Sequence, residues 1–285
     1  MTPTSSLKRS AIPRPNDKRK IVQHYNKVSP YYHSLWGEHL HHGYWIRGDE
    51  SKEQAQLQLA EYLAGLANVP QGAEVLDIGC GFGASSLFLA RKFKARPTGV
   101  NISPVQIEMA RNAAAAENLD AQFLLMDAEA LDFDRQFDLL WSVESISHYH
   151  DRRKFFANAA RFLKPGGVFA VTDWLKSPGL TPQLTSKYIR PIEQGMFIEM
   201  DTMDDYASYL VDAGLQILHR QNITRETAKT WDLGLHVISD PSFWTLAAKL
   251  GKDFLTYLKS YRTVHAAVAK GYFVYALFVA QKPIS

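Results

Sequence analysis

The chemistry of this chain gathers in the run Asp77-Ile78-Gly79-Cys80-Gly81-Phe82-Gly83, where an acid near the end of an apolar stretch is followed by glycines at every second position. Residues without a Cβ let a ligand lie against the backbone where any side chain would collide. The spacing predicts a helix next, roughly Ala84 to Phe93, whose free N–H groups aim at the same spot and welcome electronegative ligand atoms. Gly79, Cys80, Gly81 and Gly83 therefore read as a nucleotide-type binding turn, with a tight strand-to-helix turn as the plain alternative.

A second run, Trp141-Ser142-Val143-Glu144-Ser145-Ile146-Ser147-His148-Tyr149-His150, carries titratable groups. Imidazole titrates near neutrality, so His148 is the best base, its alternative being a histidine that lines the loop. Glu144 is second; it suits binding an acceptor or steadying positive charge, against a loop salt bridge. His39, His41 and His42 invite a metal reading, but metal ligands usually come from separate elements with outer support, and no Cys or acidic cluster matches a known spacing. Cys80, the single cysteine, leaves no internal disulfide and reads as a small residue fitting its loop.

These residues need a frame, and the middle of the chain supplies one by alternating strand and helix patterns, which implies a parallel sheet with helices on both faces. Strands are expected near 73–78, 96–100, 121–126, 137–141 and 167–173, then near 215–222 and 271–281. Ser103-Pro104-Val105-Gln106 reads as a capping box opening a helix to about Glu117. Asp151 caps the next helix, and Gly166-Gly167 ends it. About twenty residues after the glycine turn, where a dinucleotide site wants an acid for the ribose, the strand ends in the amide Asn101. Asp77 suits an ammonium group, which S-adenosylmethionine has and nicotinamide cofactors lack in that place. A nicotinamide oxidoreductase is thereby disfavoured.

From Ile21 to Pro283 the chain resembles the class I S-adenosylmethionine-dependent methyltransferases. Asp77-x-Gly79-x-Gly81-x-Gly83 is their first motif, Asp127-Ala128 sits where they contact adenine, Phe137 to Trp141 is similar to their fourth strand, and Leu163 to Gly167 to the turn before the fifth. Tyr25-Asn26, Trp36 through Trp45, Ser103 to Gln106 and the stretch from Pro241 to Pro283 look like the gamma-tocopherol methyltransferase group, related to sterol and alkaloid methyltransferases. The resemblance implies a Rossmann-like α/β fold with a seven-stranded, mostly parallel sheet in the order 3-2-1-4-5-7-6, an N-terminal cap and an inserted helical lid. It implies S-adenosyl-L-methionine as cofactor, held by Asp77, the glycine turn, Asn101, Gln106, Asp127 and Ala128, with Tyr25 and Tyr44 closing over it and Trp45 beside the acceptor. An apolar, aromatic acceptor lining is expected from Tyr188, Met196, Phe197, Met200, Met203, Tyr206, Trp231, Phe243 and Trp244. Much of that set must also serve as core.

The expected division is a disordered tail over 1–20, a helical cap over 21–70, the cofactor-binding core over 71–174, and lid segments over 175–212 and 223–268. Composition fits: 285 residues at 46% hydrophobic suffice for one large core. The balance of 32 basic to 29 acidic residues is too even to argue for nucleic acid. No run is apolar for long enough to span a membrane, and the basic start lacks the apolar centre of a secretory leader. Together these predict a cytoplasmic enzyme that methylates a hydrophobic or aromatic small molecule, at aromatic carbon as in tocopherol-type chemistry. O- or N-methylation of a phenol or alkaloid, C-methylation of an isoprenoid, and a cofactor-binding protein without catalysis are the alternatives. A homo-oligomer is compatible with everything above.

Overall fold

Among the described residues seven strands join in one sheet: β1 Glu74–Ile78, β2 Arg96–Asn101, β3 Gln122–Leu125, β4 Phe137–Val143, β5 Leu163–Lys176, β6 Gln216–Asn222 and β7 Phe273–Gln281. The computed structural model describes residues 16–239, 244 and 251–284. The order is β3-β2-β1-β4-β5-β7-β6, as the sequence led us to expect. β1 to β5 run parallel, and β7 enters antiparallel between β5 and β6.

Side chains alternate across a strand, and both faces of this sheet are buried, which is why its central strands read as continuous apolar runs. Val75, Leu139, Ala170 and Leu277 enter one apolar cluster, with Leu59 and Leu63 packed on them. Their neighbours Leu76, Leu140, Phe169 and Phe278 enter another, with Phe155, Phe156 and Tyr206.

The helices flanking the sheet carry readable start signals. α1 spans Lys18–Trp36 and is capped by Asp17, which accepts from Arg19 N. α2, Lys52–Leu66, has a reciprocal capping box between Ser51 and Gln54. α3 is Ala84–Phe93, as expected, and α4 Pro104–Ala116 follows the Ser103 cap with proline at its start. α5, Arg152–Ala160, is capped by Asp151. A π turn at Thr185–Ile189 runs into α6 Arg190–Met196, followed by α7 Met203–Asp212, α8 Lys229–Ser239 and α9 Lys252–Ala269.

Four expectations are corrected. Lys18 to Lys20, expected in the tail, are the first turn of α1, because Lys18 is held by Asp127 and Glu129; residues 1–15 of that tail lie outside the described residues. Gly166-Gly167 does not end a helix: α5 stops at Ala160 and the pair lies inside β5, tied to the strand beside it by Gly166 N donating to Lys282 O and Lys282 N to Gly167 O. Gln106 does not complete a capping box; Ser103 Oγ accepts from its backbone N–H, but its side-chain oxygen accepts from Asn101 Nδ2 at 2.6 Å. Finally, α7 is not part of a lid. Its Tyr206 and Leu210 are wholly buried against the sheet, and Tyr206 Oη donates to Asp173 at 2.8 Å.

Candidate active site

At the carboxyl end of β1 the chain turns through Gly79, Gly81 and Gly83, all at positive φ. At two of these positions the need for glycine is steric as well. A Cβ on Gly79 would lie 2.4 Å from Ser145 Cβ, and one on Gly83 2.8 Å from the Phe123 ring. At Gly81 it would meet only Leu40, at 3.8 Å, because open space lies over that backbone. Asp77 is buried beside the turn; Ser86 Oγ donates to its Oδ2 at 2.6 Å, and burial pushes its carboxyl up to about 7. Asn101, at the end of β2, donates to Gln106 Oε1, while Gln106 Nε2 is buried with no partner among the described residues. After β3, Asp127 caps the short turn Ala128–Ala130 and takes an ion pair from Lys18 at 2.5 Å.

These groups share one cavity, enclosing about 230 Å³, whose floor is the sheet end and whose cover comes from α1, the 38–42 segment, α6, α8 and α9. α1 supplies Ile21, His24, Tyr25, Tyr32 and Trp36 to the wall, and α8 and α9 supply Trp231, Ile238, Leu258 and Tyr261. His148 stands where β4 has ended. Its Nδ1 lies 2.9 Å from Phe197 O, a pure acceptor, so Nδ1 carries the proton and Nε2 presents a lone pair. Tyr25 Oη donates to that Nε2 at 3.2 Å. Burial lowers the His148 pKa, against the opposing pull of Phe197 O and Glu144, and keeps the ring neutral at pH 7.

Glu144 has φ +53°, a left-handed backbone rare for a residue with a side chain. Three donors converge on its Oε1: His42 N at 2.7 Å, His42 Nδ1 at 2.9 Å and Tyr275 Oη at 2.6 Å. Burial works to raise its pKa, but His42, His41 and the Tyr275 hydrogen bond together override it and bring the carboxyl down to about 2. His39 and His41 turn their rings to each other, Nδ1 to Nε2 at 2.9 Å, beneath this segment.

Of the residues singled out in the sequence, the cavity wall brings together Tyr25, Asp77, Gly79, Cys80, Gly81, Asn101, Gln106, Asp127, Ala128, Glu144, His148 and Met196, with Trp231 from the wider aromatic set. Gly83 shapes the turn from behind. Others stand elsewhere. Tyr44 stacks on Tyr62 at 4.6 Å, and Trp45 is buried with its Nε1 donating to Glu50 O, because the chain after Gly43 leaves the cavity to pair with Ala55 and Glu226. Tyr188 packs on Tyr272, and Trp244 donates to Ile238 O with 36% of its surface exposed. Phe197 contributes its carbonyl to His148 while its ring packs on His24. Met200 is core, Met203 packs beside Tyr206 and Leu210, and Phe243 lies outside the described residues. Lys18, His42 and Trp174 were missed as site residues. His42 carried a signal in its three-histidine segment, but its pairing with Glu144 spans 102 positions.

The residues fit S-adenosylmethionine on three counts: open space over Gly81 and, among the described residues, a buried carboxyl without a cationic partner at Asp77 and an amide N–H of Gln106 without an acceptor. Comparison with known proteins points the same way. A model of the methyltransferase domain matches residues 75–167. The 27-O-demethylrifamycin SV methyltransferase of Amycolatopsis mediterranei (strain S699) is 32% identical over 225 residues, covering 77% of this chain and 80% of that protein. The chloroplastic tocopherol O-methyltransferase of Arabidopsis thaliana is 28% identical over 294 residues, covering 94% and 83%. Among solved structures, the [4+2]-cyclase SpnF superposes with a TM-score of 0.83 at 25% identity, covering 97% of this chain and 100% of that one.

Proposed function

We propose that this chain, which belongs to the class I S-adenosylmethionine-dependent methyltransferases, works in the cytoplasm and methylates a hydroxyl group on a hydrophobic small molecule. The observation that carries the reading is a neutral imidazole, His148, facing the same cavity as the glycine turn, with its proton fixed on the far nitrogen. Asp77, Gly79, Cys80, Gly81, Asn101, Gln106, Asp127 and Ala128 hold the cofactor. When bound, it supplies a methyl group made electrophilic by a sulfonium. The chain's own work is then to align an acceptor in a dry cavity, an effect that can account for about 7–11 kcal/mol of barrier. His148 Nε2 takes the hydroxyl proton, with Tyr25 Oη yielding its place or handing the proton on. Glu144 is a poor base, being fully ionised and already holding three donors.

The tocopherol O-methyltransferase among the relatives supports a hydroxyl acceptor, while a related sterol 24-C-methyltransferase agrees with the carbon acceptor expected from the sequence. A phenolate is also nucleophilic at ring carbon, and the product decides. The test is incubation with methyl-labelled S-adenosylmethionine and a panel of prenylated phenols, indoles and isoprenoids, followed by mass spectrometry. His148→Ala is expected to lose about 10²–10⁴-fold in turnover with S-adenosylhomocysteine affinity unchanged. Conversion of an acceptor without methyl incorporation, as the cyclase neighbour makes conceivable, overturns the proposal.

A further inference from the structure

Glu144 is held in an unusual way for a residue on the wall of an apolar cavity. All three of its hydrogen bonds fall on Oε1, from His42 N, His42 Nδ1 and Tyr275 Oη. Oε2 receives none among the described residues and belongs to a side chain that lines the cavity and keeps 12% of its surface exposed. The carboxylate is thus pinned by one oxygen and offered by the other. Around it stand Tyr25, His41, His148 and Tyr261, besides His42 and Tyr275, and among the described residues no arginine or lysine pairs with it. Lys18, the single lysine on the described wall, is occupied by Asp127 and Glu129, and no arginine lines it.

We propose that Glu144 selects the acceptor: Oε2 takes a hydrogen bond from a hydroxyl or cationic group on the acceptor and repels one that brings a carboxylate or phosphate to this end of the cavity. An apolar wall alone ranks ligands by size, whereas a pinned carboxylate makes a donor-less or anionic ligand leave a charge unmet. His42 and Tyr275 act through Glu144 as positioning residues. With only one oxygen committed, each fixes the direction of the other. His42 also bears the cost of the arrangement, since its Nε2 is buried with no partner among the described residues. This inference rests on the reading of the cavity as an acceptor and cofactor site, and deepens it to an acceptor class: hydrophobic, hydroxylated or amine-bearing, not acidic.

The test saturates the protein with S-adenosylhomocysteine and titrates it with trimethylhydroquinone and with 2,4,5-trimethylbenzoate, ligands of similar bulk and opposite demand. Wild type is expected to prefer the hydroquinone by about tenfold or more, and Glu144→Gln to lose most of that preference. Equal binding of the two by wild type, absence of both included, overturns the proposal, as does a preference that survives in Glu144→Gln. Should that variant not fold, Tyr275→Phe removes one donor and is expected to shrink the preference partway. In His42→Phe the preference is expected to fade on acidification at a higher pH than in wild type, because the carboxylate loses the Nδ1–H donor of His42. A merely structural role would weaken both probes alike at every pH. Calorimetric binding of S-adenosylhomocysteine alone tests the underlying reading separately; if it fails in wild type, the cofactor site falls first.

Discussion

Asp77 shows how one buried carboxyl ties stability to ligand. Its ordinary value of 3.8 is raised by burial to about 7, against the pull of the Ser86 hydrogen bonds, so the folded chain binds this proton more tightly than the unfolded one. The stability it contributes is therefore complete below about pH 4 and lost as pH rises through about 7. Asp173, raised by burial to about 6, acts in the same direction. A ligand ammonium beside Asp77 reverses the sign locally, because the ionised form then has a partner. Stabilisation by S-adenosylhomocysteine should accordingly grow through neutral pH in wild type and stay flat and smaller in Asp77→Asn, read as thermal midpoints with and without ligand over a pH series. A wild-type ligand shift independent of pH would remove Asp77 from the ammonium's role. Gly79→Ala makes a sterner case: with φ +77° and Ser145 at 2.4 Å, it should cost about 1–3 kcal/mol and abolish ligand-induced stabilisation. Retained binding in that variant would mean the turn does not touch the cofactor. That these residues lie together in one turn was legible because the signal was local. A turn and its flanking acid occupy seven consecutive positions, while the His42, Glu144 and Tyr275 cluster joins three distant stretches that no spacing rule connects.

Among the elements, α1 carries the strongest dependence on contacts the sequence could not announce. Its first turn is tied down by Asn16 Nδ2 donating to Tyr149 O and by Lys18 pairing with Asp127 and Glu129; farther along, Ser103 Oγ donates to Asn26 Oδ1. The helix thus runs from Asp127, which pairs with Lys18, past His148, which meets Tyr25. Lys18 is about a third exposed, so its pairs are screened and their loss should be modest. Lys18→Ala is expected to speed S-adenosylhomocysteine release by about fivefold, corresponding to about 1 kcal/mol, with little change in the thermal midpoint. Stopped-flow fluorescence, using cavity-lining Trp36 as reporter, checks it; an unchanged release rate would mean that the latch does not gate the ligand. Elements opened by a local signal were readable in advance, as α3 after the glycine turn and α4 behind Ser103 were, while the sheet order came from the family resemblance. The start of β5 was not readable, since Gly166 and Gly167 look like punctuation until Lys282 pairs with them from the far end of the chain.

At the scale of the whole molecule, the cavity is the place where distant parts of the chain meet, from Lys18 in α1 to Tyr261 in α9. A ligand enclosed by all of them should couple their opening. At a ligand concentration of about 100 times Kd, binding adds about 2.7 kcal/mol to the global unfolding free energy. The sharper consequence concerns local opening. If α1 must lift before ligand leaves, cleavage by trypsin after exposed Arg19 and Lys20 requires the ligand-free open state, and saturating S-adenosylhomocysteine should slow it in proportion to occupancy, up to about 100-fold at that concentration. If α1 only lies alongside, cleavage there should be indifferent to ligand while the thermal midpoint still rises. Mass spectrometry of the fragments, scoring cuts within Lys18–Trp36 alone, separates these outcomes. Protection of α1 that tracks ligand occupancy in wild type and is weakened in Lys18→Ala would join the latch, the cavity and global stability into a single linkage, and its absence would leave α1 a wall rather than a door.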